Sequence, residues 1–247
     1  NADDLVANHN GALAGAVSYS TGKVGQAFSF NSALAAVVVP ASPSLNVGSG
    51  AGLTLEAWIN PTDVTQTYPL FEWNNATYWG VHFYIAPGQP TDGSSGPAGP
   101  GQLYANVVDS SGGWHQLGSA AGAVASGVFQ HVVLTYDKAS GMATIYRNGE
   151  IVSQLNLGSF TPLTTYDLYL GRRQAPSAEA GSFAGLMDEP TVYGRALSQA
   201  EVQAVFNAGS AGNCPPQFAQ PSITQQPQSV TTNVSATVRF EVVATGV

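Results

Sequence analysis

Only one stretch of this chain has the clear spacing of an amphipathic helix, and it comes late. Residues 183–209 read as a strand carrying the acidic pair Asp188-Glu189, then a tight turn, then a short capped helix. Ser198 and Glu201 stand three apart, as a capping box requires: the hydroxyl accepts the Glu201 amide and the carboxylate accepts the Ser198 amide. Val202, Val205 and Phe206 share one helical face, and Gly209 stands where a glycine ends such a helix. What remains is a β-rich chain with one late helix.

Elsewhere the period is two. Leu53, Leu55, Ala57 and Ile59 alternate with Thr54, Glu56, Trp58 and Asn60, the spacing of a half-buried strand. Residues 1–27 read as loop, broken by Gly11, Gly15, Gly22 and Gly25. Strands are expected near 27–30, 35–39, 69–74, 79–86, 102–108, 114–118, 129–136, 166–171 and 183–193. Asn148-Gly149, between 143–147 and 151–155, marks a hairpin, because a type I′ turn needs positive φ at both central positions. About a dozen strands fit two packed sheets. Residues 87–101 are too rich in proline and glycine for a strand, and so long a loop is expected to close over a binding face.

Charge narrows the partners. Only 9% of residues are charged against 44% hydrophobic, which is too apolar for a disordered chain and suits a large antiparallel β-protein with uncharged loops. Seven Lys and Arg in a chain of net charge −8 cannot line a phosphate-tracking stripe, so nucleic acid is excluded and an anionic membrane surface disfavoured. Uncharged glycans and divalent cations remain. With Cys214 the sole cysteine, no intrachain disulfide forms. There is no signal peptide and no apolar run long enough to insert in a membrane. The chain is expected to be a piece of a longer, modular protein. Composition shifts at Cys214-Pro215-Pro216.

Four motifs stand in a telling order: Gly25-Gln26-Ala27-Phe28-Ser29-Phe30, then Leu53–Ile59, then His131-Val132-Val133-Leu134-Thr135-Tyr136-Asp137 with Tyr146-Arg147-Asn148-Gly149, then the 183–209 segment. Together they resemble the bacterial laminin-G-like, concanavalin A-like jelly-roll domains over about residues 1–214. Residues 215–247 form a linker and a segment that resembles the opening strands of a bacterial immunoglobulin-like domain, truncated. The resemblance implies an all-β, two-sheet antiparallel jelly roll with one short C-terminal helix, acting as a monomeric module of a secreted or cell-surface multidomain protein. It also implies a structural Ca²⁺ between the N-terminal loop and the last core strand, with Asp4, Asn10 and Asp188 as ligands, since calcium takes hard oxygen donors. The family's Asp-Gly is replaced here by Asn31-Ser32. The alternative for Asp188 is a plain hydrogen bond to loop amides.

Aromatic density suggests the ligand. Trp73, Tyr78, Trp79, His82, Phe83 and Tyr84 fall within twelve residues, and Tyr104, Asn106, Asp109, Trp114 and His115 follow. Sugar recognition needs flat rings for pyranose C–H faces and polar tips for hydroxyls. Alternation puts Trp79, Val81, Phe83 and Ile85 on one face and His82 and Tyr84 on the other, with Trp58 and Trp79 as core rings. Trp73, Tyr78, Tyr104 and Trp114 are then expected to stack on sugar, with Asn106 and His115 bonding hydroxyls. Any one of these rings could instead fill the sandwich interior.

Catalysis finds little support. The alternate-position acidic motif of glycosidases on the related fold is missing, Glu56 and Glu72 stand alone in their strands, and Asp188-Glu189 point to opposite faces. The reading is a non-catalytic carbohydrate-binding, lectin-like module for a glycan or polysaccharide. The alternatives are a structural or adhesion domain contacting other cell-surface proteins and, third, a polysaccharide hydrolase.

Overall fold

The computed structural model describes residues 2, 9–93, 96–174, 181–212, 222–227, 229 and 231–245. In chain order the strands are β1 (Ala12–Ala14), β2 (Val17–Thr21), β3 (Gln26–Phe30), β4 (Ala36–Val39), β5 (Gly52–Pro61), β6 (Tyr68–Asn74) and β7 (Trp79–Ile85). Then come β8 (Leu103–Asn106), β9 (Gln116–Gly118), β10 (Gln130–Asp137), β11 (Met142–Arg147), β12 (Glu150–Asn156), β13 (Asp167–Leu170) and β14 (Gly185–Tyr193). They form two seven-stranded antiparallel sheets, ordered β1-β4-β13-β6-β7-β8-β9 and β12-β11-β10-β5-β14-β3-β2. The expected two-sheet, all-β jelly-roll sandwich is what the chain forms.

Inward positions of both sheets build one core. Leu53, Leu55, Ala57 and Ile59 of β5 join Val132, Leu134 and Tyr136 of β10 from the second sheet. Phe71 and Trp73 of β6, Val81, Phe83 and Ile85 of β7, and Leu103 and Ala105 of β8 come from the first. Burying side chains of this size contributes roughly 1.5–3 kcal/mol each, the main term holding the sheets together.

Two strands escaped the sequence. β1 and β2 lie in the stretch read as loop, and both are edge strands whose residues are mostly exposed, so no apolar alternation marks them. The hairpin holds: Asn148 and Gly149 have φ of 53° and 81°.

The helix α1 (Gln199–Ala208) explains why β5 is buried on both faces rather than one. Thr54 Oγ1, pointing away from the core, accepts the Leu197 amide at 2.9 Å and donates to the Arg195 carbonyl at 2.8 Å, fixing the chain's entry to the helix. Ser198 and Glu201 form the expected capping box, worth about 1 kcal/mol on the usual scale. Val202 then packs with Val133, Tyr146 and Leu197, and Phe206 stacks on Trp58 at 5.6 Å.

Contacts divide the chain into Asn1–Ser210 and Ala211–Val247. The described residues of the second unit hold one antiparallel ladder, β15 (Ser222–Gln225) with β16 (Val243–Thr245), and no immunoglobulin-like sandwich is seen among them. Cys214 lies outside the described residues. Among those described, no helix is long and apolar enough to cross a membrane.

Candidate functional site

Two loops at one end of the first sheet bring exposed rings together. The β6–β7 turn is built on asparagine. Asn75 Oδ1 accepts the Thr77 and Tyr78 amides at 3.0 and 2.8 Å, and Asn74 Oδ1 accepts the Ala76 amide at 3.2 Å. Ala76 has φ 67°, a left-handed conformation that costs a residue with a Cβ roughly 1–2 kcal/mol. Tyr78, at the end of this turn, is 64% exposed.

The register slips just beyond. Glu72 opposes His82 but Asn74 opposes Trp79, so β7 carries one extra residue within this span. Such a bulge re-aims the side chains beyond it. Gly80 sits in the span, and a Cβ there would lie 2.2 Å from the Leu163 carbonyl oxygen. Trp79 therefore leaves the face of Val81 and Phe83 and is only half-buried, a correction to its expected place in the core. The Arg173 guanidinium lies over Trp79 and Tyr84, 4.7 and 5.1 Å from the ring centroids.

The β8–β9 loop supplies Trp114, which is 61% exposed. Asp109 shapes this loop. Its carboxylate accepts the Ser111 amide at 2.7 Å, the Ser111 hydroxyl at 2.6 Å and the Gly113 amide at 3.0 Å, and meets His115 Nε2 at 2.9 Å. The His115 bond, then those from Ser111 and Gly113, hold the Asp109 carboxyl well below the usual carboxylate range. His115 stacks on Phe160 at 3.7 Å, and Phe160 on Tyr136 at 4.8 Å, tying the loop to a core ring. Trp114 meets Trp79 edge-on at 6.2 Å. Tyr78, Trp79 and Trp114, with Thr77, Ser110 and Tyr166, line a cleft of about 420 Å³.

Beside the cleft, the outward face of the first sheet is polar and sealed. Glu72, His82, Asn106 and Gln116 form one cross-strand row over β6 to β9. Arg173 Nε donates to both Glu72 oxygens, at 2.8 and 3.1 Å, and Asn74 Nδ2 donates to Oε1 at 2.6 Å. Burial pushes Glu72 up to about 7, opposed by Arg173 and Asn74. Burial and the charge of Arg173 push His82 down to about 3, so its imidazole is neutral and Nδ1 faces the Gly80 carbonyl at 3.0 Å.

Of the six expected sugar contacts, the structure gathers two at the cleft surface, Tyr78 and Trp114. Trp73 is fully buried, because from Phe71 onward the odd positions of β6 point into the sandwich, so it offers no ring to a ligand. Tyr104 and Asn106 are 5% and 1% exposed on the sealed face; Tyr104 accepts Gln116 Nε2 at 2.6 Å and Asn106 Oδ1 accepts the His115 amide at 3.0 Å. His115 is occupied by Asp109 and Phe160. The described residues of the 87–101 loop lie at the other end of β7 and β8 and are not among those lining the cleft. Its Asp92 reaches the Gln154 amide and its Gln89 carbonyl accepts Gln102 Nε2. Tyr166 and Ser110 were missed, since they sit far apart in sequence and only the fold makes them neighbours.

Of the expected calcium ligands Asp4, Asn10 and Asp188, only the last two are among the described residues. Asp4 lies outside them, Asn10 is exposed, and no group of three His, Cys, Asp or Glu able to hold a metal is found among them. Asp188 Oδ2 accepts the Val24 amide at 2.7 Å and Oδ1 the Glu189 amide at 3.0 Å, while burial raises its pKa. Gly22 packs so closely that a Cβ would lie 2.4 Å from Oδ2.

Residues 31–203 match the family model described as the concanavalin A-like lectin/glucanases superfamily. No curated protein matches the chain. Among solved structures, it is similar to domain 4 of AbnA, a GH43 extracellular arabinanase from Geobacillus stearothermophilus, in complex with arabinotriose. That match has 18% identity and TM-score 0.57 over 83% of this chain and 92% of the other. The Ruminococcus gnavus IT-sialidase CBM40 bound to α2,3 sialyllactose matches at 22% identity and TM-score 0.51, over 65% of this chain and 84% of that one. The binding domain of Paraclostridial Mosquitocidal Protein 1 matches at 16% identity and TM-score 0.63, over 83% of this chain but 49% of its own length. At such identities the solved structures speak to fold, while the family model covers well over half of the chain, from before β4 into α1: the chain belongs to the concanavalin A-like lectin/glucanases superfamily.

Proposed function

We propose that this chain is a carbohydrate-binding module that holds sugar in the cleft of Tyr78, Trp79 and Trp114. The observation that carries this is the exposure of Tyr78 and Trp114, 64% and 61%, at one concave site in a fold that buries Trp58, Trp73, Phe30, Phe71, Phe83 and Phe183. Tyr78 and Trp114 stack on pyranose C–H faces. Trp79, one face taken by Arg173, forms a wall. Thr77, Ser110 and Tyr166 present hydroxyls. His115 and Asp109 act through the loop they shape. Structures of two similar domains carry arabinotriose and sialyllactose, which supports a binding role.

Binding rather than hydrolysis follows from the lining: no carboxylate borders the cleft among its described residues, whereas glycoside cleavage needs two. An extracellular or surface setting suits such a module, as in the extracellular arabinanase with the similar domain.

The test is depletion of the purified chain by a panel of insoluble polysaccharides, for the native chain, Trp114→Ala, Tyr78→Ala and Val128→Ala, an exposed residue outside the cleft. Retention by one class, lost in the first two variants and kept in the third, is expected. Unchanged binding by Trp114→Ala sinks the cleft assignment, and no binding to any glycan turns the search to protein partners. A separate proposal, that Asp4, Asn10 and Asp188 hold a structural Ca²⁺, is tested by repeating the assay and a thermal melt in EDTA.

A further inference from the structure

We infer that the cleft selects neutral sugars and rejects acidic ones. This rests on the glycan-binding reading and adds the ligand's charge class.

The first observation is the lining itself. Thr77, Tyr78, Trp79, Ser110, Ser111 and Trp114 supply rings and hydroxyls, and none of the described lining residues carries a charge. Thr77, Tyr78, Ser110 and Tyr166 line the cleft and carry hydroxyls for which no hydrogen bond is seen among the described residues. A hydroxyl both donates and accepts, which matches a sugar hydroxyl. Against a carboxylate it can only donate, and it leaves the ligand's charge without a counter-charge.

The second observation is that the charges nearest the cleft are already spent. Asp109 lies behind the Trp114 loop with its carboxylate turned onto Ser111, Gly113 and His115. Arg173, the cation against Trp79, is paired through Nε to both oxygens of Glu72, a carboxylate with no exposed side-chain surface. A site built for acidic sugars would aim its guanidinium into the cleft for a bidentate contact; Arg173 instead lies over Trp79 and Tyr84 with Nε held by Glu72, and it is not among the residues lining the cleft.

The net charge of −8, with seven basic residues in 247, also repels polyanions at long range, but salt screens that effect, so the high-salt arm below separates it from selection by the cleft.

The experiment uses pairs of ligands that differ in charge and little else: oligogalacturonate against its methyl ester, and sialyllactose against lactose. A galactan oligomer and arabinotriose serve as further neutral members. Binding is titrated by tryptophan fluorescence with the native chain and Trp114→Ala, at about physiological and at several-fold higher salt. Leaving a ligand charge without a partner predicts a gap of roughly ten-fold or more between neutral and acidic members that persists at high salt. Trp114→Ala abolishes the neutral binding. Acidic members that bind as tightly as neutral ones, and depend on Trp114, overturn the charge inference while leaving the glycan-binding reading intact. A gap that closes at high salt also overturns it, assigning the discrimination to overall charge. If binding occurs but Trp114→Ala changes nothing, the cleft assignment falls and takes this inference with it; if no member binds, the glycan-binding reading itself falls.

Discussion

The two outward faces of the sandwich begin from the same local pattern and end differently. On the second sheet, β5 turns Thr54, Glu56 and Trp58 away from the core; on the first, β6 and β7 turn out Glu72, His82 and Tyr84. Helix α1 lies over the second sheet, and Trp58, stacked on Phe206, is 3% exposed. Beyond the β7 bulge, Trp79 has an arginine on one face, the edge of Trp114 beside it, and a cleft open to solvent. A ring becomes available to a ligand because of what does or does not pack over it, and strand alternation alone carries no such information.

The sharpest way to break this comparison is to truncate one ring from the interior and one from the cleft. Trp73→Ala should cost about 3–5 kcal/mol in denaturant unfolding, as for other large buried rings. Trp114→Ala should stay within about 0.5 kcal/mol of the native chain while losing glycan. Equal stability losses would show that the two faces have been misassigned.

Next comes the helix cover. Leu197, 5% exposed, anchors the entry to α1. Leu197→Ala should cost about 2–3 kcal/mol and shift Trp58 emission to the red, with glycan binding retained. A binding loss here would couple the faces that the structure keeps apart.

Asp109→Asn should weaken binding without unfolding the sandwich, because the Trp114 loop loses its shaping carboxylate. The Asp109 pKa is lowered in the folded state. Its contribution to stability is therefore present above the unfolded value, near pH 4, and is lost only as pH falls further, through the folded value. A pH series of loop fluorescence, steady down to that point in the native chain, checks it.

Glu72 predicts the opposite trend. Its folded pKa, about 7, lies above the ordinary 4.5, so the native state binds more protons between them and stability falls as pH rises across that window. Thermal melts of Glu72→Gln should show a flatter pH profile there; an unchanged slope would mean that Glu72 is not the group titrating. The smallest effect is expected from Ala76→Gly, which relieves the left-handed φ and should stabilise by about 1 kcal/mol at most, with Tyr78 still presented.

Trp79 shows where sequence reading stopped. Period-two spacing grouped it with Val81, Phe83 and Ile85, and it would have stayed there had β7 paired without interruption. The bulge is a property of the pair of strands and of the Leu163 carbonyl crowding Gly80, none of which is written near residue 79. Trp73 failed for a related reason: it was grouped by local aromatic density, while its facing partners Val81 and Phe83 lie across the turn. Asp188 bonds the Val24 amide across 164 residues of chain, a contact that no local pattern announces.

By itself the sequence determined the period of core strands such as β5, the Asn148-Gly149 turn, the capping box of α1 and, through its motifs, the two-sheet jelly roll. These are short-range matters, decided by φ preference, side-chain alternation and hydrogen bonds within a few residues. Only the tertiary structure decided which rings are covered, where Arg173 spends its charge on Glu72, and how residues 77–79, 108–114 and 163–166 come to share one cleft. Burial and pairing depend on groups a hundred residues apart meeting at contact distance, and that information belongs to the packed sheets as a whole.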